Sequence, residues 1–129
     1  MVMAMKQKIL AVDDSKMMLR IISSTIEMLG YDTVKASNGK EALAILEKEP
    51  DIVLVLLDWN MPELNGMDTL KAIKGNEQFK SLPVMMVTTE GEKKNVIKAI
   101  QAGAKHYLTK PFNQQDLATR IMECLGGGL

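Results

Sequence analysis

The sequence has no surplus of charge. Sixteen basic and sixteen acidic side chains cancel to a formal net charge of zero. Binding to nucleic acid or to a membrane surface through bulk charge is therefore excluded. Cysteine is nearly absent: Cys124 stands alone, so no internal disulfide can form and a buried, inert thiol in a reducing cytosol is expected. No long apolar run exists. The longest, Ile52 to Leu57, has six residues, against the ~20 of a membrane-spanning helix. The first residues, with Lys6 and Lys8 soon followed by Asp13 and Asp14, lack the apolar stretch of a signal peptide. We expect a soluble, cytoplasmic chain. Repeats, low-complexity tracts and linkers are missing, so the 129 residues fit one domain. The closing run Gly126-Gly127-Gly128-Leu129 cannot hold a helix. Residues 1–6 and 126–129 are expected to fray.

What is present is an alternation. Short apolar runs rich in β-branched residues occur at Ile9–Val12, Thr33–Ala36, Ile52–Leu57, Val84–Thr88 and Tyr107–Thr109. Between them lie stretches with helical spacing. Met18, Ile21, Ile22, Thr25, Ile26 and Leu29 form one stripe, ended by Gly30. Ala42, Leu43 and Leu46 mark a second helix over about Lys40–Lys48. Leu70 and Ile73 mark a third. Val96, Ile97 and Ile100 mark a fourth, ended near Gly103, and Leu117, Ile121 and Leu125 a fifth. Five β–α units whose first, third and fourth strands are almost wholly apolar imply an α/β fold, an open parallel sheet covered by helices on both faces.

In such sheets ligands bind beyond the carboxyl ends of the strands. The first strand runs into Asp13-Asp14, the third into Asp58, the fourth ends in Thr88-Thr89, and the fifth runs into Lys110-Pro111. Four strand ends thus offer charged or polar groups to one rim. Three crowded carboxylates repel one another unless a cation joins them. Mg²⁺ suits the set, since it takes oxygen ligands and commonly bridges to phosphate. Lys110 adds a fixed positive charge and Thr88 a hydroxyl donor. These are the parts of a phosphoryl-transfer site in which an aspartate can be the nucleophile. A Walker P-loop, a zinc-type His/Cys/Glu cluster and a nucleophile elbow are all missing.

Asp13-Asp14, Asp58-Trp59-Asn60-Met61-Pro62, Gly66, Thr88, Gln101-Ala102-Gly103-Ala104, Tyr107 and Lys110-Pro111-Phe112 follow one another as they do in the response-regulator receiver family, and the chain resembles its single-domain chemotaxis members. The resemblance spans residues 8–125, and it implies that residues 1–129 are a single receiver domain with the flavodoxin-like (βα)5 strand order 2-1-3-4-5. It implies that Asp58 is the phosphoacceptor and a histidine kinase the donor. Asp14, Asp58 and the Asn60 carbonyl then ligate Mg²⁺, with Asp13 acting through water. Lys110 and Thr88 complete the catalytic set with Asp58 by holding phosphoryl oxygens. Thr88 and Tyr107 form the switch, and the Lys110–Pro111 bond is cis. The implied output is the face of helix 4, strand 5 and helix 5, binding a protein target such as the flagellar motor switch, from a monomer.

Three positions depart from the family pattern: Thr89 in place of a smaller residue, Asn65 in place of an aspartate, and His106 in place of a small residue. Thr89 is expected to narrow access to Asp58, Asn65 to be a turn residue, and His106 to lie on the surface. Taken singly, Asp14 also reads as a cap of the first helix, Asp58 as a turn cap and Tyr107 as a core-edge aromatic. The Glu92-Lys93-Lys94 run reads as a solvated helix start or part of a docking surface. A phosphorelay intermediate that passes the phosphoryl group on to another histidine is the alternative to a stand-alone switch. An enzyme on the same fold needs a cap or long loops that 129 residues do not supply.

Overall fold

The computed structural model describes residues 7–126. Of the ends expected to fray, 1–6 and 126–129, all but Gly126 lie outside them, and the Gly126 N–H donates to the Glu123 carbonyl at 3.2 Å. Ten elements alternate along the chain: β1 Lys8–Val12, α1 Lys16–Met28, β2 Asp32–Ala36, α2 Gly39–Lys48, β3 Ile52–Leu57, α3 Gly66–Lys74, β4 Val84–Thr88, α4 Lys93–Gln101, β5 His106–Thr109 and α5 Gln114–Cys124. The strands form one parallel sheet in the order β2-β1-β3-β4-β5. This is the expected α/β architecture.

The period of two along each strand divides the core into two layers. Leu10, Val12, Val55, Leu57, Val84 and Met86 point to the layer that also holds Ala42 and Leu46 of α2, Leu70 and Ile73 of α3, and Ala99 of α4. Ile9, Ala11, Leu54, Leu56, Met85 and Val87 point to the other layer, with Leu19, Ile22 and Ile26 of α1 and Leu117 and Ile121 of α5. A register shift between Lys8 and Ile9 pairs Ile9 with Leu54 and so keeps both on the same face. Each fully buried Leu or Ile stabilises the fold by roughly 1.5–3 kcal/mol.

Two helical stripes differ from expectation. Ile21 of α1 is exposed, and the buried stripe there is Leu19, Ile22, Ser23, Thr25 and Ile26. In α4 only Ala99 is buried, while Ile97 and Ile100 are 45% and 46% exposed. Helical spacing marks an apolar face, but the neighbours in space decide whether that face is covered. The other departure concerns Asn65. It is the N-cap of α3, accepting the Asp68 N–H at 2.9 Å, and so does more than fill a turn.

Candidate functional site

Adjacent strands bring the site together through their last hydrogen bonds. The Asp13 N–H donates to the Ala36 carbonyl and the Asp58 N–H to the Val12 carbonyl, each at 3.0 Å. The first residues beyond β1 and β3 therefore stand side by side. On the other side the Lys110 N–H donates to the Thr88 carbonyl at 2.9 Å, which ties the end of β5 to that of β4. The sheet order places this group where β1 separates β2 from β3, the crevice at which the chain reverses its direction of winding.

One carboxylate oxygen each from Asp13, Asp14 and Asp58 lie within 4.8 Å of one another. Asp13 is 1% and Asp58 7% exposed, whereas Asp14 is open to solvent. Lys110 Nζ sits 2.6 Å from Asp13 Oδ2 and 3.4 Å from Asp58 Oδ2. The remaining oxygens of the two buried carboxylates accept backbone donors, Ser15 N–H to Asp13 Oδ1 at 2.9 Å and Trp59 N–H to Asp58 Oδ1 at 2.7 Å. Charges this deep persist only when paired or hydrogen-bonded. One lysine against three carboxylates leaves two formal negative charges uncompensated. A divalent cation fits that deficit, and the exposed Asp14 leaves a side open for its waters.

The bland readings divide. Asp14 does not cap α1; Ser15 does, accepting the Met18 N–H at 3.2 Å. Asp58 does make a local bond, to Trp59, but it also faces Lys110 and the other carboxylates. Gly66 packs against the backbone of Asp58 so closely that a Cβ there would lie 2.0 Å from the Asp58 carbonyl oxygen. Only glycine lets α3 begin at that point. The Lys110–Pro111 peptide bond is cis, as the resemblance implies.

Thr88 is buried at the end of β4, and its hydroxyl accepts the Glu90 N–H at 3.4 Å. Thr89 is exposed. The side-chain amide of Asn60 donates to Glu90 Oε2 at 3.0 Å. The Tyr107 hydroxyl donates to the Glu90 carbonyl. Burial, and then the nearby Glu90 and Asp58 carboxylates, push the Tyr107 phenol up to about 12. His106 stands apart at the start of β5, half-buried, with Nε2 3.7 Å from Glu123 Oε1. Glu92 and Lys94 pair loosely at 3.6 Å on the exposed start of α4.

Glu90 is the residue that sequence reasoning missed. It lies two positions beyond Thr88, and the reading of strand ends stopped at Thr89. Extending that reading along the β4–α4 loop finds an acidic side chain facing the rim.

The comparisons with known proteins agree with this geometry. The family description "response regulator receiver domain" matches residues 9–122. A chemotaxis protein CheY homolog of Campylobacter jejuni is 43% identical over 122 residues, covering 94% of each chain. Chemotaxis protein CheY1 of Helicobacter pylori is 44% identical over 120 residues, covering 92% of this chain and 97% of its own. Among solved structures, chemotaxis response regulator CheY4 of Vibrio cholerae superposes with a TM-score of 0.85 at 33% identity, over 93% of this chain and 99% of its own. A Borrelia burgdorferi CheX–CheY complex with BeF3 and Mg²⁺ gives a TM-score of 0.87 at 26% identity, over 92% and 89%. Sequence, fold and the clustering of strand-end residues converge, and the chain belongs to the response regulator receiver family.

Proposed function

We propose that this protein is a stand-alone response regulator of a chemotaxis-type two-component system, switched by phosphorylation of Asp58. The observation that carries the reading is Asp58 itself, a nearly buried carboxylate that shares Lys110 with Asp13 and lies within 4.8 Å of two more acidic groups.

In the proposed reaction an oxygen of the Asp58 carboxylate forms a bond to phosphorus as the N–P bond of a kinase phosphohistidine breaks. The electron pair returns to the imidazole nitrogen, which takes up a proton. Asp13, Asp14, Asp58 and the Asn60 carbonyl would hold Mg²⁺. Bound there, the ion would neutralise charge on the phosphoryl oxygens. Lys110, already 3.4 Å from Asp58, holds one phosphoryl oxygen. Thr88 reaches another by exchanging its bond from Glu90 N–H for donation inward. The Borrelia relative crystallised with BeF3, a phosphoryl mimic, and Mg²⁺ supports this assignment. The protein is then a signalling switch that assists its own phosphorylation and dephosphorylation, with no small-molecule substrate pocket required.

The output follows from Thr88 and Tyr107, neighbours on paired strands in which Met86 faces Tyr107 and Thr88 faces Thr109. Movement of Thr88 opens space into which the Tyr107 ring rotates, and that changes the face formed by α4, β5 and α5. A switch from 1:99 to 99:1 needs phosphorylation to favour the active form by roughly 5.5 kcal/mol, and a smaller bias still shifts the population. The exposed Ile97 and Ile100 suit this face to a protein target, for which the flagellar motor switch is our candidate. The protein acts as a monomer in this reading.

The test is phosphorylation by a histidine kinase or by acetyl phosphate. Wild type takes acid-stable but alkali-labile phosphate, and Asp58→Asn takes none while remaining folded. Label at wild-type levels in Asp58→Asn moves the acceptor elsewhere. Thr88→Ala still accepts phosphate but retains the target poorly. Equal retention by both phosphorylated proteins favours the relay reading, in which the phosphoryl group passes from Asp58 to a histidine phosphotransfer domain.

A further inference from the structure

Helix α4 is held differently from the other four. Ser15, Asn38, Asn65 and Asn113 each cap their helix with a side-chain oxygen, whereas Glu92 at the head of α4 makes no such bond. The first turn of α4 carries Lys93 and Lys94, cations at the positive end of the helix dipole, where they are unfavourable. Its one fully buried side chain is Ala99, the smallest anchor available. In place of a cap, Asn95 in the first turn donates from Nδ2 to Glu90 Oε1 at 3.3 Å. The other oxygen of that carboxylate takes the Asn60 amide at 3.0 Å. Glu90 also holds both switch residues through its backbone, donating its N–H to the Thr88 hydroxyl and accepting from the Tyr107 hydroxyl.

We propose that Glu90 is the positioning residue that fastens α4 to the loop following the acceptor, through a strap running Asn60–Glu90–Asn95, and that charge added at Asp58 unfastens it. The reasoning is electrostatic. Both ends of the strap are neutral amides and its centre is an anion. Phosphorylation replaces the single negative charge of the Asp58 carboxylate with about 1.5 to 2, a net gain of up to about one, and brings three strong acceptor oxygens. On Asp58, two residues before Asn60, the phosphoryl group repels the Glu90 carboxylate and competes for the Asn60 amide. Once Asn60 lets go, Glu90 is free to turn, and Asn95 loses the one side-chain acceptor that holds the head of α4. This deepens the proposed function and rests on Asp58 being the acceptor.

Hydrogen exchange read by mass spectrometry tests the strap in wild type, Glu90→Ala, Glu90→Gln and Asn95→Ala, each with and without acetyl phosphate and Mg²⁺. At rest, amides of residues 96–101 should exchange about tenfold faster in Glu90→Ala and Asn95→Ala than in wild type, as expected for losing a hydrogen bond to a charged group. Amides of residues 42–48 in α2 should be unchanged, which controls for general unfolding. Phosphorylation should raise α4 exchange in wild type by a similar factor and leave it nearly unchanged in the two alanine variants. Glu90→Gln, which keeps an acceptor oxygen but no charge, should be protected at rest and respond less. Wild-type α4 exchange in Asn95→Ala at rest, or an equal response to phosphorylation in every variant, overturns the strap. The same spectra show whether the mass of a phosphoryl group is gained. Its absence from wild type defeats the acceptor reading instead, and the resting comparison still decides whether Glu90 fastens α4.

Discussion

The two ends of the sheet differ in how deeply they bury charge. At the carboxyl end Lys110 faces Asp13 and Asp58, and a third carboxylate stands within 4.8 Å. At the amino end Lys74 Nζ donates to the Lys80 and Leu82 carbonyls at 3.1 and 2.6 Å, and Lys105 Nζ to the Cys124 carbonyl at 2.9 Å. There Lys74 and Lys105 finish off loose ends of backbone, and Lys8 pairs with Glu49 at 2.9 Å and Asp51 at 3.6 Å. Burial lowers the Lys74 ammonium below its ordinary range and pushes the Cys124 thiol up to about 11, so the thiol is not primed for chemistry. The amino end also has a depression of about 660 Å³, lined in part by Tyr31, Lys74, Lys105 and Cys124. The proposed site lies instead at the carboxyl end, where buried charge is unbalanced. The amino end leaves its charged groups partly or fully exposed, while the carboxyl end buries Asp13 and Asp58 within a surplus of negative charge.

The largest effect that sharpens this contrast is on stability. Lys110→Met leaves Asp13 and Asp58 buried without their cation, and loss of one partner of a buried pair costs about 3–5 kcal/mol. Lys74→Met removes two bonds from a part-exposed ammonium to carbonyls that can turn to water instead, and should cost clearly less. Urea denaturation in Mg²⁺-free buffer measures both, and equal losses would remove the distinction between the two ends. Phosphorylation should be lost in Lys110→Met and unaffected in Lys74→Met.

The next effect is smaller and of opposite sign. Asp58→Ala relieves repulsion while Asp13 keeps Lys110 at 2.6 Å. Without Mg²⁺ the variant should therefore be as stable as wild type or more so, by up to about 2 kcal/mol. Magnesium at 100 times its dissociation constant should then stabilise wild type by about 2.7 kcal/mol, and the variant much less. Trp59 fluorescence should report the same binding. A clear loss of stability in the metal-free variant would mean that Asp58 is structural.

The smallest effect is alkaline. The Tyr107 phenol is raised from its ordinary 10.0 to about 12. Between those values the unfolded chain releases the proton and the folded one keeps it. The contribution is thus fully present below pH 10 and is lost as pH rises through 12. Tyr107→Phe should flatten that decline. Absorbance titration of wild type against Tyr107→Phe should show the Tyr107 phenol ionising near 12, and its ionisation near 10 would contradict the half-buried, carboxylate-flanked placement.

Much of this protein is legible in its sequence because local rules act within a few residues. Apolar runs of three to six residues alternating with helical stripes determined five β–α units, and the runs end at Thr88 or just before Asp13, Asp58 and Lys110. Parallel strands joined by helices place all their carboxyl ends on one rim, so those four residues had to meet. Tertiary structure decided the rest. Ile21, Ile97 and Ile100 obey the same helical spacing as Ile22 and Ile26, yet they are nearly half exposed, because the described neighbours cover only part of each apolar face. Asp13 and Asp14 are neighbours of one residue type. One is buried against Lys110 and the other faces solvent, since successive side chains leaving a strand point in opposite directions. Glu90 gained its place only when β4 and β5 paired and the loop after β3 folded across them, bringing Asn60, Asn95 and Tyr107 to one residue. Contacts between residues 5 to 30 positions apart in a loop leave no periodic trace in a sequence, and only the folded chain brings them together.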